Sequence, residues 1–288
     1  MIPAQFDYVA PRSLDEAVSV LRQAVTEGRD VKVLGGGQSL IPVLRLRMAA
    51  PELLVDLNRV DELRGVRDDG DAIVVGAMTT HHAVSQDPLV HEHAKVVALA
   101  AETVADLQVR HRGTFGGALV HADPAGDLPA PALALGAEMV VAGADGARRT
   151  VAAADFFEDL FTTAVGEDEL LVEVRIPKHT GWGGHYEKFN RISHAWSIVG
   201  VAAAVRVDGG TIAEARVGLT NMGSVPVRAE AVEQALVGRA ATAEEIKAAC
   251  AAAGEGTSPP SDANADADFR RHLAGVLTGR AVLAAAGA

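Results

Sequence analysis

The sequence predicts an α+β fold, and three observations support this class. In the N-terminal segment, short apolar runs alternate with helical periodicity, which is typical of a small β-α-β layer. In the middle segment, strand-like runs are separated by turn signals, which favours antiparallel pairing. The last segment holds three further strand-like runs followed by helices. We therefore expect a small βαβ subdomain at residues 1–57, an antiparallel subdomain at 58–177 and a sheet-and-helix domain at 178–288.

The first elements follow from capping and periodicity. The capping box Ser13-Leu14-Asp15-Glu16 predicts a helix that begins there and ends near Gly28. Strands are expected at residues 6–9, 31–34 and 53–57, with a second helix before the third strand. This order is β-α-β-α-β.

The middle elements follow from turn signals. We expect a strand at 72–75, helices at 91–105 and 129–135, and a strand at 170–176 that ends at Pro177. Strands at 138–142 and 148–151 flank Gly143-Ala144-Asp145-Gly146, which predicts a hairpin.

The Gly-rich stretch 180–184 indicates a boundary before the last elements. Beyond it we expect strands at 185–190, 198–207 and 212–219, with Asp208-Gly209-Gly210 as a tight turn. Helices are predicted at 227–236, at 243–253 and from 269 onward, with a loop at 254–268.

Composition narrows the class of protein. The chain has 288 residues, of which 49% are hydrophobic and 22% charged, so it can bury a large core. It contains no apolar stretch of the ~20 residues that span a bilayer, and its first residues lack the features of a signal peptide. The net charge of −12 argues against a nucleic-acid surface. The single cysteine, Cys250, excludes an internal disulfide and a Cys-rich cluster site, and it fits a cytoplasmic location.

Two glycine-rich turns carry the strongest functional signal. The first is Gly35-Gly36-Gly37-Gln38-Ser39-Leu40 and the second is Gly113-Thr114-Phe115-Gly116-Gly117. Glycine permits positive φ and a close approach of a ligand to the main chain. Successive N–H groups in such turns form a concave surface of donors that holds phosphate oxygens. Two such turns predict a diphosphate that is held from two sides, mostly by neutral N–H groups.

The first turn alone leaves alternatives open. Gly35 and Gly37 fit the first two glycines of a dinucleotide-binding fingerprint, and Asp56 lies near the position of its ribose-binding acid. However, Leu40 occupies the third glycine position and Pro42 follows closely, which disfavours that interpretation. A tight turn without any ligand is the other alternative.

Both turns together resemble a known family. The stretch 35–42 resembles the A-G-G-Q/H-S-L-x-P loop of the FAD-binding medium subunits of molybdenum hydroxylases. The segments 112–117 and 121–129 resemble its R-G-T-I-G-G-N and H-A-D-P-A-x-D-x-P signatures, with Phe115 and Ala118 as departures. Segments 170–177, 186–189 and 217–229 also match in order. The family includes the medium subunit of aerobic carbon monoxide dehydrogenase and the flavin domain of xanthine dehydrogenase.

The resemblance implies the family's FAD-binding fold and a set of residues that bind FAD. Main-chain N–H groups of the first turn would wrap the pyrophosphate, with a hydroxyl donor from Ser39. Thr114, Gly116 and Gly117 would hold the same diphosphate from the other side. The residues implied at the pyrophosphate are Gly35, Gly36, Gly37, Gln38, Ser39, Leu40, Thr114, Gly116 and Gly117.

Four more residues are implied at the rest of the cofactor. Asp127 would hydrogen-bond ribityl or ribose hydroxyls, and Leu171 would supply an apolar contact. Lys188 would approach the polar edge of the flavin, where a cation favours negative charge on the reduced ring. Trp196 lies where the family places a residue beside the isoalloxazine, where it would stack or gate access.

The resemblance also implies partners. An iron–sulfur small subunit and a molybdenum-cofactor large subunit would complete the enzyme, expected as a dimer of heterotrimers. Electrons would pass from the clusters to this subunit and then to an external acceptor. With one cysteine, this chain cannot ligate a cluster itself, which agrees with that division. The alternatives are a self-sufficient FAD-dependent oxidase and a non-catalytic assembly subunit that has lost FAD.

The substrate stays open at this point. Carbon monoxide, a purine, an aldehyde and an N-heterocycle are all compatible with the family. Overall resemblance favours carbon monoxide, although Gln38 stands where typical carbon monoxide enzymes have histidine.

Other polar clusters have simpler explanations. His81-His82 and His91-Glu92-His93 lack a compact ligand set, so we expect a solvated surface or a helix start rather than a metal site. Asp123 and Asp127 could form an acid–base pair, but the neighbouring Pro124 favours turn capping by Asp123.

Overall fold

The computed structural model describes residues 1–143 and 146–288. The strands in chain order are β1 Asp7–Val9, β2 Val31–Leu34, β3 Leu53–Asp56, β4 Val66–Asp69, β5 Ala72–Gly76, β6 Glu138–Ala142, β7 Arg148–Ala152, β8 Phe157–Asp159, β9 Thr162–Thr163, β10 Leu170–Pro177, β11 Gly183–Phe189, β12 Val199–Asp208, β13 Thr211–Thr220 and β14 Val227–Arg228. The helices are α1 Leu14–Thr26, α2 Leu40–Arg45, α3 His81–Gln86, α4 Pro88–His93, α5 Lys95–Glu102, α6 Leu107–Arg110, α7 Phe115–His121, α8 Pro129–Ala134, α9 Ala153–Phe156, α10 Glu230–Leu236, α11 Ala243–Cys250 and α12 Ala267–Ala286. Two 3₁₀ turns lie at Leu57–Arg59 and Asp61–Leu63.

The N-terminal sheet has the order β1-β3-β2, and both pairings are parallel. Helix α1 begins as predicted, with the Ser13 side chain accepting from the Glu16 N–H group. Its buried face, which includes Leu14 and Leu21, joins a core with residues of β3. The predicted β-α-β-α-β order is confirmed, and it places the first glycine turn at the carboxyl end of β2.

The middle sheet is antiparallel, with the order β4-β5-β10-β6-β7. The predicted strands and the pairing of β6 with β7 are confirmed, while the predicted turn residues Ala144 and Asp145 lie outside the described residues. Strand β4 was not predicted, because its exposed residues Arg67, Asp68 and Asp69 lack an apolar pattern.

The predicted helix at 91–105 was wrong in its limits. Two helices occupy this region, α4 and α5, and they are separated by Ala94, whose φ of −144° is not helical. Asp87 is the N-cap of α4, because its carboxylate accepts from the N–H groups of Leu89 and Val90. Pro88 is the first helical residue, so α4 begins earlier than apolar periodicity suggested.

The C-terminal sheet is antiparallel, with the order β11-β12-β13-β14. Gly209 and Gly210 both have positive φ, +54° and +79°, which fits the tight turn predicted between β12 and β13. The helix predicted at 227–236 begins only at Glu230, because residues 227–228 pair with β13.

Alternation along β12 explains how this sheet is covered on both faces. Ala202 and Ala204 belong to the core cluster of the middle segment, whereas Val201, Ala203 and Val205 belong to a second cluster with α10, α11 and α12. The sheet is therefore packed between the middle helices and the C-terminal helices. Within the described residues, no helix is long and apolar enough to cross a bilayer.

Candidate functional site

The first glycine turn links β2 to α2 and presents unpaired main-chain donors. Gly36 and Gly37 are buried, and Gly37 has a φ of +77°. Across the described chain, the N–H groups of Gly36, Gly37, Gln38 and Ser39 have no main-chain or side-chain acceptor. Ser39 stands at the N-cap position of α2, yet its hydroxyl makes no capping bond. Four successive donors and an available hydroxyl form a nest for an anion.

The second glycine turn is held against the loop that follows β5. Phe115 donates its N–H to the carbonyl of Thr79 at 2.8 Å, and Gly116 donates to Ala77 at 2.9 Å. Thr114 caps α7, because its hydroxyl oxygen accepts from the Gly117 N–H at 3.2 Å. The turn is therefore fixed by long-range bonds between chain segments, which local sequence cannot reveal.

This arrangement changes what the second turn offers a ligand. The N–H of Gly116 is committed to Ala77, so the predicted main-chain grip by this residue is not supported by the geometry. A Cβ at Gly116 would lie 2.5 Å from the Cβ of Ala77, so packing between segments explains the glycine. The hydroxyl proton of Thr114 has no acceptor within the described residues and is the donor that this turn can present.

The two turns touch each other directly. A Cβ at Gly36 would lie 2.6 Å from the Cα of Gly113, and a Cβ at Gly35 would lie 3.1 Å from Oγ1 of Thr114. The donors of the first turn and the hydroxyl of Thr114 therefore belong to one continuous surface. This donor set fits the diphosphate of FAD, because it supplies several neutral hydrogen bonds without a cation.

Asp127 and Lys188, predicted to touch the cofactor, meet in a buried polar network. Oδ2 of Asp127 accepts from Nζ of Lys188 at 2.7 Å, and Oδ1 accepts from the hydroxyls of Tyr186 at 2.9 Å and Ser197 at 2.7 Å. Lys188 also donates to the carbonyl of Thr103 at 3.1 Å. Asp127 is only 5% exposed, and its carboxylate oxygens accept hydrogen bonds from these three side chains inside the protein.

Burial determines the electrostatics of this network. It raises the pKa of the Asp127 carboxyl, while Lys188 and the hydroxyls of Ser197 and Tyr186 oppose that shift. It also raises the pKa of the Tyr186 phenol, with the charge of Asp127 acting in the same direction. The sequence did not indicate Tyr186 or Ser197 as partners, because they lie 59 and 70 residues from Asp127.

Leu171 and Trp196 differ in exposure. Leu171 lies on β10, is buried and belongs to the same core cluster as Phe115. Trp196 is 54% exposed and lies in the connection between β11 and β12. The next residue, Ser197, is the one that bonds Asp127, so the buried network anchors the base of the segment that carries Trp196.

The remaining sequence candidates have structural explanations. Asp123 caps its turn as predicted, because Oδ1 accepts from the Ala125 N–H at 2.9 Å. His82 stacks on His111 with ring centroids 4.0 Å apart. His81 is the first residue of α3, which agrees with the expected helix start. Its side chain is buried, so the alternative expectation of a solvated surface was wrong for this residue. Among residues 1–143 and 146–288, no three His, Cys, Asp or Glu side chains group as metal ligands.

Comparison with known proteins identifies the class. Residues 4–179 match the FAD binding domain in molybdopterin dehydrogenase, and residues 184–285 match the CO dehydrogenase flavoprotein C-terminal domain. The chain therefore belongs to the FAD-binding medium subunits of the molybdenum hydroxylases. It is an oxidoreductase subunit whose cofactor is FAD.

Individual relatives cover almost the whole chain. The carbon monoxide dehydrogenase medium chain of Hydrogenophaga pseudoflava is 42% identical, over 99% of this chain and 98% of its own. The carbon monoxide dehydrogenase medium chain of Afipia carboxidovorans is 38% identical, over 98% and 97%. The solved quinoline 2-oxidoreductase of Pseudomonas putida 86 superposes with a TM-score of 0.93 at 34% identity, over 100% of this chain and 99% of its own.

Proposed function

We propose that this chain is the electron-transfer subunit of a molybdenum hydroxylase complex, taking electrons from iron–sulfur clusters of a partner and passing them to an external acceptor. The observation that carries the proposal is the run of four main-chain donors at Gly36–Ser39 beside the Thr114 hydroxyl. FAD, when bound, supplies the redox chemistry of the subunit. Gly35, Gln38 and Leu40 adjoin these donors in the chain and are included in the proposed site, as is Gly117, whose N–H holds the Thr114 hydroxyl.

The buried network supports the rest of the site. Asp127 holds Lys188 and Ser197 in place, and these residues flank the β11–β12 connection that carries Trp196. Their role under this proposal is to position that connection and to keep a cation near the flavin. Leu171 supplies part of the apolar wall behind the second turn.

The partners under this proposal are an iron–sulfur small subunit and a molybdenum-cofactor large subunit, assembled as a dimer of heterotrimers in the cytoplasm. The burial of Cys250 supports the assignment of the iron–sulfur clusters to a partner subunit. This cysteine is fully buried in the C-terminal core, and burial raises its pKa to about 12, so it is held as a neutral thiol that does not ligate a cluster.

The sheets support the proposed subdomains at 1–57, 58–177 and 178–288, because each sheet of the described residues is confined to one of these segments. The first segment holds β1 to β3 and the third holds β11 to β14. The second holds the five-stranded sheet β4-β5-β10-β6-β7 and the separate pair of β8 with β9.

Carbon monoxide is the proposed substrate of the complex. Both carbon monoxide dehydrogenase medium chains share more identity with this chain, 42% and 38%, than the quinoline 2-oxidoreductase chain does at 34%. Gln38, where typical carbon monoxide enzymes have histidine, is the departure that makes a direct assay necessary.

The test is purification of the complex through a tag on this chain, followed by assays of dye reduction with carbon monoxide and with an N-heterocycle. We expect a Cys-rich small chain, a large molybdenum chain and carbon monoxide-dependent dye reduction that the isolated FAD-loaded subunit lacks. Turnover by the lone chain would favour the self-sufficient oxidase. A complex in which this chain holds no flavin would favour the assembly subunit.

A further inference from the structure

The carbonyl side of the first glycine turn is held by side-chain amides. Nδ2 of Asn58 donates to the carbonyl oxygen of Gly35 at 3.1 Å. Nε2 of Gln38 donates to the carbonyl oxygen of Gly36, also at 3.1 Å. Two successive peptides of a three-glycine run are therefore fixed through their carbonyls.

Fixing a carbonyl also fixes the next N–H group. The peptide unit is planar and trans, so the C=O of one residue and the N–H of the next point in opposite directions. The bond from Asn58 to Gly35 therefore sets the direction of the Gly36 N–H. The bond from Gln38 to Gly36 does the same for Gly37. These two N–H groups are the first of the four unpaired donors.

Asn58 is itself held by a carboxylate. Oδ1 of Asp56 accepts from the Asn58 main-chain N–H at 2.9 Å and from its Nδ2 at 2.6 Å. Oδ2 of Asp56 accepts from the Tyr8 hydroxyl at 2.6 Å. Asp56 is 9% exposed at the end of β3, so the chain from Tyr8 through Asp56 to Asn58 is anchored in the parallel sheet.

We propose that Asn58, held by Asp56 and Tyr8, is a positioning residue that pre-orients the Gly36 N–H group for the diphosphate of FAD. This inference rests on the proposed function of the first turn. A triglycine run has wide conformational freedom, and a turn that is already ordered loses less entropy when the ligand binds. Asp56, one candidate for a ribose-binding acid, instead holds Asn58, which in turn bonds the carbonyl of Gly35.

The test is the dissociation constant of FAD, measured by flavin fluorescence on the full chain after its own flavin has been removed. Asn58→Ala removes the Nδ2 bonds to Gly35 and to Asp56 but keeps the main-chain bonds of residue 58 to Asp56 and Arg64. Loss of the bond that orients the Gly36 N–H group raises the constant about three- to tenfold. Tyr8→Phe removes a hydroxyl from a half-exposed side chain and raises it by a smaller factor.

The double variant separates positioning from general damage. Because Tyr8 acts through Asn58, the Tyr8→Phe/Asn58→Ala protein should bind FAD as Asn58→Ala does, rather than with the product of the two factors. The apoprotein of each variant should remain folded, with one cooperative unfolding transition. The matched control is Asn264→Ala. Asn264 lies two residues after Asp262, as Asn58 does after Asp56, and its main-chain N–H donates to the Asp262 carboxylate at 2.8 Å. It is far from either glycine turn in the chain.

The outcomes are distinct. An unchanged dissociation constant in Asn58→Ala, or factors that multiply in the double variant, would overturn the positioning role while FAD binding by the unmodified chain stands. Equal weakening in Asn264→Ala would also overturn it. If the unmodified chain itself does not rebind FAD, the proposed function of the turn fails instead.

Discussion

The carboxylate of Asp127 joins the middle segment to the C-terminal sheet. It accepts from Lys188, Tyr186 and Ser197, all of which lie on or beside β11 and β12. The ion pair is almost fully buried, with 7% exposure for the lysine side chain and 4% for the aspartate. A buried charge that loses its partner is costly, whereas a pair exposed to water contributes little.

Asp127→Asn should therefore lower the free energy of unfolding by about 3–5 kcal/mol, because Lys188 would keep its charge without a counter-ion. Chemical denaturation of the full chain measures this. The matched control is Glu214→Gln, which breaks the half-exposed pair with Arg206 and should cost less than about 1 kcal/mol. Equal losses of unfolding free energy in the two variants would show that the buried ion pair contributes no more to stability than the half-exposed pair.

His81 gives a prediction about pH. Its side chain is buried beneath the second turn, Nδ1 has no partner in the described part of the chain, and burial lowers its pKa from 6.5 to about 4. The unfolded chain binds a proton below about pH 6.5 while the folded chain does not, so stability falls as pH drops from 6.5 towards 4.

His81→Leu removes this titration. Over that pH range, the unmodified chain should lose up to about 3 kcal/mol more of its unfolding free energy than the variant does. Unfolding curves at several pH values give the two slopes. Parallel slopes would show that His81 is protonated in the folded chain too.

At the level of elements, the two glycine turns form one unit because they pack against each other. The glycines at positions 36, 113 and 116 are explained by contacts between chain segments as much as by a ligand. A substitution at any of them disturbs the junction of the N-terminal and middle sheets as well as the donor surface. Loss of FAD in such a variant would therefore combine both effects.

Gly36→Ala should weaken FAD binding and lower stability by about 1–3 kcal/mol, because its Cβ would meet the main chain of Arg112 and Gly113. Gly279→Ala is the control, since its Cβ would meet only ordinary contacts at 3.9 Å inside α12 and alanine favours a helix. The control should keep full flavin content and equal or higher stability. Flavin content and thermal unfolding are measured together, and normal flavin with unchanged stability in Gly36→Ala would contradict the contact between the two turns.

The sequence predicted the first glycine turn better than the second. The first depends on neighbouring residues, whereas the second is held by hydrogen bonds to residues distant in the chain. The first turn follows β2 directly, so local signals were enough to predict a glycine turn at this place. The second turn depends on hydrogen bonds to residues 77–79 that local sequence does not encode, so the commitment of the Gly116 N–H was missed. The same holds for Asn58, whose only local signal was its spacing from Asp56.

At the level of the whole molecule, the predicted parallel sheet, antiparallel sheet and C-terminal sheet are confirmed in that order, because turn signals separate their strands. The small sheet of β8 and β9 was not predicted. Strand pairing between distant segments was not predictable, as in β5 beside β10. Nor was the burial of both faces of β12, because its near-continuous apolar run does not say which neighbour covers each face. The chain has a single cysteine, and it is buried, so under the proposed function the iron–sulfur clusters belong to a partner subunit.

The most direct test of this account is the flavin content of the purified full chain, before and after denaturation. Neutral donors at Gly36–Ser39 predict a non-covalent cofactor, and the buried Cys250 lies in the separate C-terminal core rather than at the turns. We expect one FAD per chain, released completely on denaturation and identified by chromatography. A native protein without flavin, or flavin that stays attached to the denatured chain, would contradict the account.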